Sequence, residues 1–163
     1  MITTVIFDLD GLLADTEKLH YKAYEYTFDE LGTVLPEEEY RQHWIRKGRG
    51  IADYLEEQEL DLDIHQVRAL KKRHYDELVR SSVEPMPGAL GALDRLYGEK
   101  TLAIATASYL HSAQAVLETL GIEHYFNCVA SKGDVTRAKP SPDIFLFAAE
   151  QLGAEPKECV VIE

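Results

Sequence analysis

Asp8 and Asp10 stand one residue apart in Phe7-Asp8-Leu9-Asp10-Gly11, directly after the apolar run Thr3-Thr4-Val5-Ile6-Phe7. Carboxylates this close repel unless a cation or a shared proton lies between them. A hard divalent ion such as Mg²⁺ takes oxygen ligands, relieves the repulsion and brings a phosphate with it. One carboxylate can then attack phosphorus while the other passes a proton to the leaving oxygen. Without that chemistry the same residues are a solvated, Asp-rich turn after a strand. Later positions bear on the choice. Thr106 and Ser108 follow the apolar run 101–105, where hydroxyls and backbone N–H groups can receive phosphate oxygens. Lys139 lies in Arg137-Ala138-Lys139-Pro140-Ser141-Pro142-Asp143, placed to neutralise phosphate charge and pair with an Asp. Glu163 follows Val160-Val161-Ile162 and could join a metal shell. Each has a bland counterpart: a helix-capping hydroxyl, a solvated lysine, a terminal acid in water.

Elements to position these residues can be read from the pattern. Residues 3–7 read as a parallel strand buried on both faces. Asp15-Thr16 offers a helix cap, and Leu19, Ala23, Thr27, Phe28 and Leu31 follow at helical spacing up to Gly32. Residues 28–63 carry eleven acids and four basic residues, with sparse apolar positions and no strand signal. Val67, Leu70, His74 and Leu78 then form one stripe of a longer helix. Residues 16–83 thus read as a small helical unit whose core is thin and leans on a neighbour. After Pro85-Met86-Pro87-Gly88, helices over 88–97, 109–120 and 141–152 alternate with strands over 101–105, 127–130 and 159–162. Such alternation predicts an α/β fold, a parallel sheet with helices on both faces. The last strand reads as buried. The first strand belongs to that sheet, so the helical unit is an insertion. Ligands in open α/β sheets bind at the carboxyl ends of the strands, where Asp8 and Asp10 fall.

The chain has 163 residues, 17 Lys and Arg against 29 Asp and Glu, and a formal net charge of −12. That balance argues against a general nucleic-acid or anionic-membrane binder, because polyanions are repelled at long range. A local basic patch still suits a small phosphorylated substrate. Cys128 and Cys159 are too few for a disulfide scaffold or a four-thiolate zinc site, and they fit a reducing cytoplasm. No apolar run reaches the roughly 20 residues of a membrane span.

Asp8 to Thr16, Thr106-Ala107-Ser108, Lys139 to Asp143 and Val160 to Glu163 occur together in an order that resembles the haloacid dehalogenase superfamily. The likeness spans the whole chain. It is to the branch that inserts a helical cap after the first motif and holds β-phosphoglucomutase and phosphoglycolate phosphatases. The resemblance implies a Rossmann-like three-layer core formed by 1–15 and 84–163, with a cap over 16–83. It also implies roles. Asp8 matches the nucleophile that becomes an aspartyl-phosphate, and Asp10 the general acid and base, whose backbone carbonyl usually binds Mg²⁺. Thr106, with Ser108 as helper, matches the hydroxyl holding the phosphoryl group. Lys139 matches the lysine that balances nucleophile and phosphate charge, and Glu163 the first acid of the metal-binding motif. Asp8, Asp10 and Glu163 are thus the expected metal set. In that branch an Asp follows this acid, and a further strand and helix complete the sheet. The expectation is therefore a C-terminally incomplete core, weak or no activity for this chain, and an edge strand open to pairing.

The resemblance implies no acid at this position in the dehalogenase members as a rule, so Asp10 argues against them; a phosphate ester needs its leaving alkoxide protonated, which Asp10 can do. Phosphatase and mutase stay open at this residue. In the cap, Arg46-Lys47-Gly48-Arg49-Gly50 is basic within an acidic stretch. It reads equally as a specificity loop, with Lys47 or Arg49 reaching substrate, or as a solvated loop offsetting nearby acids. Aligned with β-phosphoglucomutase, Ile51 stands where an arginine is expected, which lowers the mutase reading, with Arg49 the residue that could substitute. His20 could reach the site on closure or simply pack in the cap. His74, Trp44 and Tyr40 read as packing residues. The expectation is a Mg²⁺-dependent phosphatase of a small phosphorylated metabolite such as a sugar phosphate or phosphoglycolate. The alternatives are a hexose-phosphate mutase and an inactive, interaction-only fragment.

Overall fold

The structure, a computed structural model, describes residues 1–163 and divides into two compact units. One comprises Met1–Thr16 and Ser82–Glu163, the other Glu17–Ser81.

The first unit is built on four parallel strands, β1 (Thr4–Phe7), β2 (Thr101–Ala105), β3 (Cys128–Ala130) and β4 (Cys159–Ile162), in the order β3-β2-β1-β4. Thr4 pairs with Thr101 on one side and Cys159 on the other; Phe7 pairs with Ile104 and Ile162. Alternation along β2 sends Ala103 and Ala105 to one face, where they join Ile6, Ala130 and the Ile144, Ala148 and Ala149 face of a helix. Leu102 and Ile104 point the other way and are also fully buried, so both faces are covered. Three helices serve this unit: α5 (Ala89–Leu96), α6 (Leu110–Leu120) and α7 (Asp143–Gln151). Gly121 ends α6 at φ 66°, a left-handed position a side chain resists. β4 lies at the edge of this sheet, as the family likeness implied, and Val160, Val161 and Ile162 are 37–39% exposed rather than buried as their apolar run alone suggests.

The second unit holds α1 (Glu17–Glu30), α2 (Glu37–Tyr40), a π-helical turn (Arg41–Arg46), α3 (Ile51–Glu57) and α4 (Ile64–Ser82). Its core is not thin. Phe28, Leu35, Tyr40, Ile51, Tyr54, Leu55 and Val67 are buried together. Trp44 lies 4.8 Å from the Tyr24 ring, 5.2 Å from Tyr40 and 4.9 Å from Tyr54. Aromatic rings supply the area that aliphatic residues leave wanting. The wide π turn, closed by Lys47 N–H on the Gln42 carbonyl, places His43 in this core at 3% exposure. The α4 stripe is also rotated from the one expected: Val67, Tyr75 and Val79 are its buried residues. Leu70, His74 and Leu78 flank that face, and His74 pairs with Glu30 at 3.0 Å.

Candidate active site

β1 runs straight into Asp8, whose N–H donates to the Ile162 carbonyl at 2.9 Å. The next residues turn back sharply. Leu12, Leu13 and Ala14 N–H groups all approach the Leu9 carbonyl, and Gly11 N–H donates to Ala14 at 2.8 Å. Gly11 takes φ 76°, where a side chain would be strained. Leu9, Leu13 and Ala14 are buried, so the turn is packed in place.

The two aspartates are held by different partners. Lys139 Nζ lies 3.0 Å from Asp8 Oδ1 and 2.7 Å from Glu163 Oε1. Since Phe7 pairs with Ile162, Asp8 and Glu163 leave adjacent strands side by side, and the lysine bridges them. Chain order reverses between β1 and β4, so the bridge sits at the switch point of the sheet, where α/β folds place ligands. Lys139 is only 17% exposed, and its ammonium also lies 4.9 Å from the Phe145 ring centre. Burial pushes the Asp8 carboxyl above its ordinary range; the Lys139 hydrogen bond and charge oppose this, and the Asp10 charge adds to it.

Asp10 instead gathers hydroxyls. Thr16 Oγ1 donates to Oδ1 at 2.7 Å, while Thr106 Oγ1 and Ser108 Oγ donate to Oδ2 at 2.9 and 2.8 Å. Thr106 Oγ1 also accepts the Ser108 N–H at 3.0 Å, and both Thr16 and Thr106 are fully buried. Asp8, Asp10, Thr106, Ser108, Lys139 and Glu163 are therefore gathered at one edge of the sheet. Thr16 is an addition: at sequence level it is a helix-cap residue. The turn at Gly11 is the signal that could have paired it with Asp10.

No group of three or more His, Cys, Asp or Glu side chains is arranged to hold a metal. The Asp10 side chain is engaged by hydroxyls; the atom that the family likeness implies at a metal is its backbone carbonyl, not this carboxylate. The hard oxygens of Asp8 and Glu163 still suit Mg²⁺, which is commonly held by one or two carboxylates with water and substrate phosphate completing its shell.

The second unit's candidates are engaged within that unit. Glu57 pairs with Arg49, with Lys47 at 3.9 Å and with the buried His43 at 3.3 Å. His43 Nε2 also lies 2.9 Å from the Gly50 carbonyl. The His20 ring stacks on Tyr75 at 4.3 Å, and its Nδ1 lies 3.0 Å from Lys71 Nζ. In this arrangement the charges of Lys47 and Arg49 are offset by Glu57.

A parallel sheet whose first strand ends in Asp-x-Asp, with a lysine bridging that strand to the last, defines a class. Residues 5–163 match the haloacid dehalogenase-like hydrolase family, and the chain belongs to it. It is 32% identical over 160 residues to the fructose-1-phosphate phosphatase YqaB of Escherichia coli, covering 98% of this chain and 85% of that protein. It is 31% identical to a phosphorylated carbohydrates phosphatase of Thermotoga maritima, covering 98% and 74%. Among solved structures, CbbY from Rhodobacter sphaeroides in complex with phosphate superposes with TM-score 0.86 at 29% identity, covering 99% of this chain and 77% of that one. No helix is long and apolar enough to cross a membrane.

Proposed function

We propose that the chain is a Mg²⁺-dependent phosphatase of a small phosphorylated metabolite, a sugar phosphate or a phosphoglycolate-like ester. The observation that carries this reading is the division of partners at the sheet edge: Lys139 on Asp8, three hydroxyls on Asp10. An Asp8 oxygen attacks phosphorus and the ester P–O bond breaks, leaving an aspartyl-phosphate on Asp8. Asp10 gives a proton to the departing oxygen. Asp10 then takes a proton from water, whose oxygen attacks the same phosphorus and releases inorganic phosphate with Asp8 restored. Thr106 and Ser108 can turn their hydroxyls from Asp10 to the phosphoryl oxygens, and Lys139 balances the charge on Asp8 and phosphate. Asp8, the Asp10 backbone carbonyl and Glu163 would hold Mg²⁺, which when bound offsets phosphate charge. The sugar-phosphate preference is supported by the names of the relatives. The two free cysteines, Cys128 and Cys159, suit a reducing cytoplasm.

The test is phosphate release from an aryl phosphate and a panel of sugar phosphates and phosphoglycolate, with and without Mg²⁺. Release that needs Mg²⁺ and disappears in Asp8→Asn is expected. Undiminished release by that variant would overturn the covalent route.

A further inference from the structure

Arg137 and Asp143 flank Lys139. Arg137 Nε donates to Asp143 Oδ2 at 2.8 Å, and Nη2 donates to Oδ1 at 2.8 Å. Ser141 Oγ adds a bond to Asp143 Oδ1 at 2.8 Å, and Ser141 N–H donates to the Ala138 carbonyl at 3.0 Å. Two parallel bonds between guanidinium and carboxylate make a strong and directional ion pair. Asp143 opens α7, whose Ile144, Ala148 and Ala149 are packed in the core beneath the sheet. Arg137 is thereby tied to a fixed element, with Lys139 inside the closed loop. The same helix supplies Phe145, over whose ring the lysine ammonium lies.

The Arg137 side chain is 74% exposed, and ion pairs so exposed contribute little to stability. Charge gives the pair a different use. Arg137 and Lys139 are cations two residues apart, and Lys139 is the one that pairs with Asp8 and Glu163. A released guanidinium, carrying more donors than an ammonium, would compete for those carboxylates. In this structure Asp143 holds that guanidinium instead. Its carboxyl is held below the ordinary range by Arg137 and Ser141, so the pair stays charged in mild acid.

We propose that the Arg137–Asp143 pair is a positioning clamp, which fixes the lysine loop and keeps the Arg137 charge off Asp8 so that Lys139 alone pairs with it. This rests on the reading of Lys139 as the partner of a nucleophilic Asp8.

Four variants test it: Asp143→Ala, Arg137→Gln and the two combined, each checked for an unchanged melting temperature, and Lys139→Ala, checked for a folded state. With an aryl phosphate and Mg²⁺, Asp143→Ala should lower kcat about tenfold with KM within about twofold, since small misplacements at a reacting centre cost that much. Arg137→Gln, which leaves no stray cation, should lower kcat only about threefold, and the double variant should match it rather than Asp143→Ala. Independently of activity, an amine-reactive reagent read by peptide mass should label Lys139 several-fold faster in Asp143→Ala. Parental kcat and labelling in Asp143→Ala, or a double variant worse than Asp143→Ala, would overturn the clamp. Lys139→Ala separates the two failures. If it is inactive while Asp143→Ala is normal, only the clamp falls; if it keeps full activity, the reading beneath falls with it.

Discussion

Lys139 Nζ stands 3.0 Å from Asp8 Oδ1, and the same ammonium reaches Glu163, the residue that leaves the neighbouring strand beside Asp8. One cation thus offsets two acids at the switch point of the sheet. Removing one member of a largely buried pair leaves the others uncompensated. Lys139→Ala is expected to lower kcat about 100- to 1000-fold, the usual cost of losing a group that offsets developing charge. It should act on kcat more than on KM in steady-state phosphate release. A change in KM alone would assign Lys139 to ground-state binding.

Asp8 carries a second, opposite expectation for stability. Its carboxyl is raised, with burial as the largest cause. A raised folded value means that the neutral form is favoured by folding. The stabilising contribution is full below the unfolded value and lost as pH rises through the folded one. At neutral pH the charged Asp8 therefore weighs against the fold, and Asp8→Asn should melt at a higher temperature while losing turnover. The difference should shrink as pH falls to about 3.5, where both proteins are largely neutral at this position. Melting curves at the two pH values, without added metal, check this. A variant less stable than the parent at both would mean that the Lys139 pair outweighs burial.

Asp10 is fixed by hydroxyls from residues 16, 106 and 108. Asp10→Asn should slow proton transfer about 100- to 10,000-fold and lengthen the life of the phosphorylated enzyme. Rapid-quench measurement of protein-bound phosphate checks it, and unchanged kinetics would remove Asp10 from the proton path. Thr16→Val deletes one donor while preserving shape. It should cost about 1 kcal/mol of stability and a smaller part of kcat than Asp10→Asn.

What the sequence disclosed follows from how local each signal is. Asp8 and Asp10 end a short apolar run, and a run feeding an acidic loop is readable within ten residues. The hydroxyl set on Asp10 joins positions 96 and 98 residues apart, together with a left-handed Gly11, so it depends on the finished turn. Val160 to Ile162 carry two opposed signals: their composition suggests burial, while the family likeness implies an open edge, and the strand order agrees with the second. The helical unit misled differently. Counting aliphatic residues leaves a thin core, yet Tyr24, Tyr40, Trp44 and Tyr54 fill it, and His43 enters only because a π turn carries it inward.

That aromatic core makes the last prediction. Trp44 is the single tryptophan of the chain and lies within 5.2 Å of the rings of Tyr24, Tyr40, His43 and Tyr54. Its loss removes both buried area and ring contacts. Trp44→Ala should destabilise the helical unit, by less than the about 3–5 kcal/mol of a fully buried aromatic because Trp44 is half-buried against that core. Trp44→Phe, which keeps a ring, should lose markedly less. Because the first unit has its own core around Ile6, Ala103 and Ile144, its amides should keep their protection in Trp44→Ala. Hydrogen exchange read by peptide would then show faster exchange confined to residues 17–81. Equal loss of protection in β1 and β2 would mean instead that the two units unfold as one cooperative body.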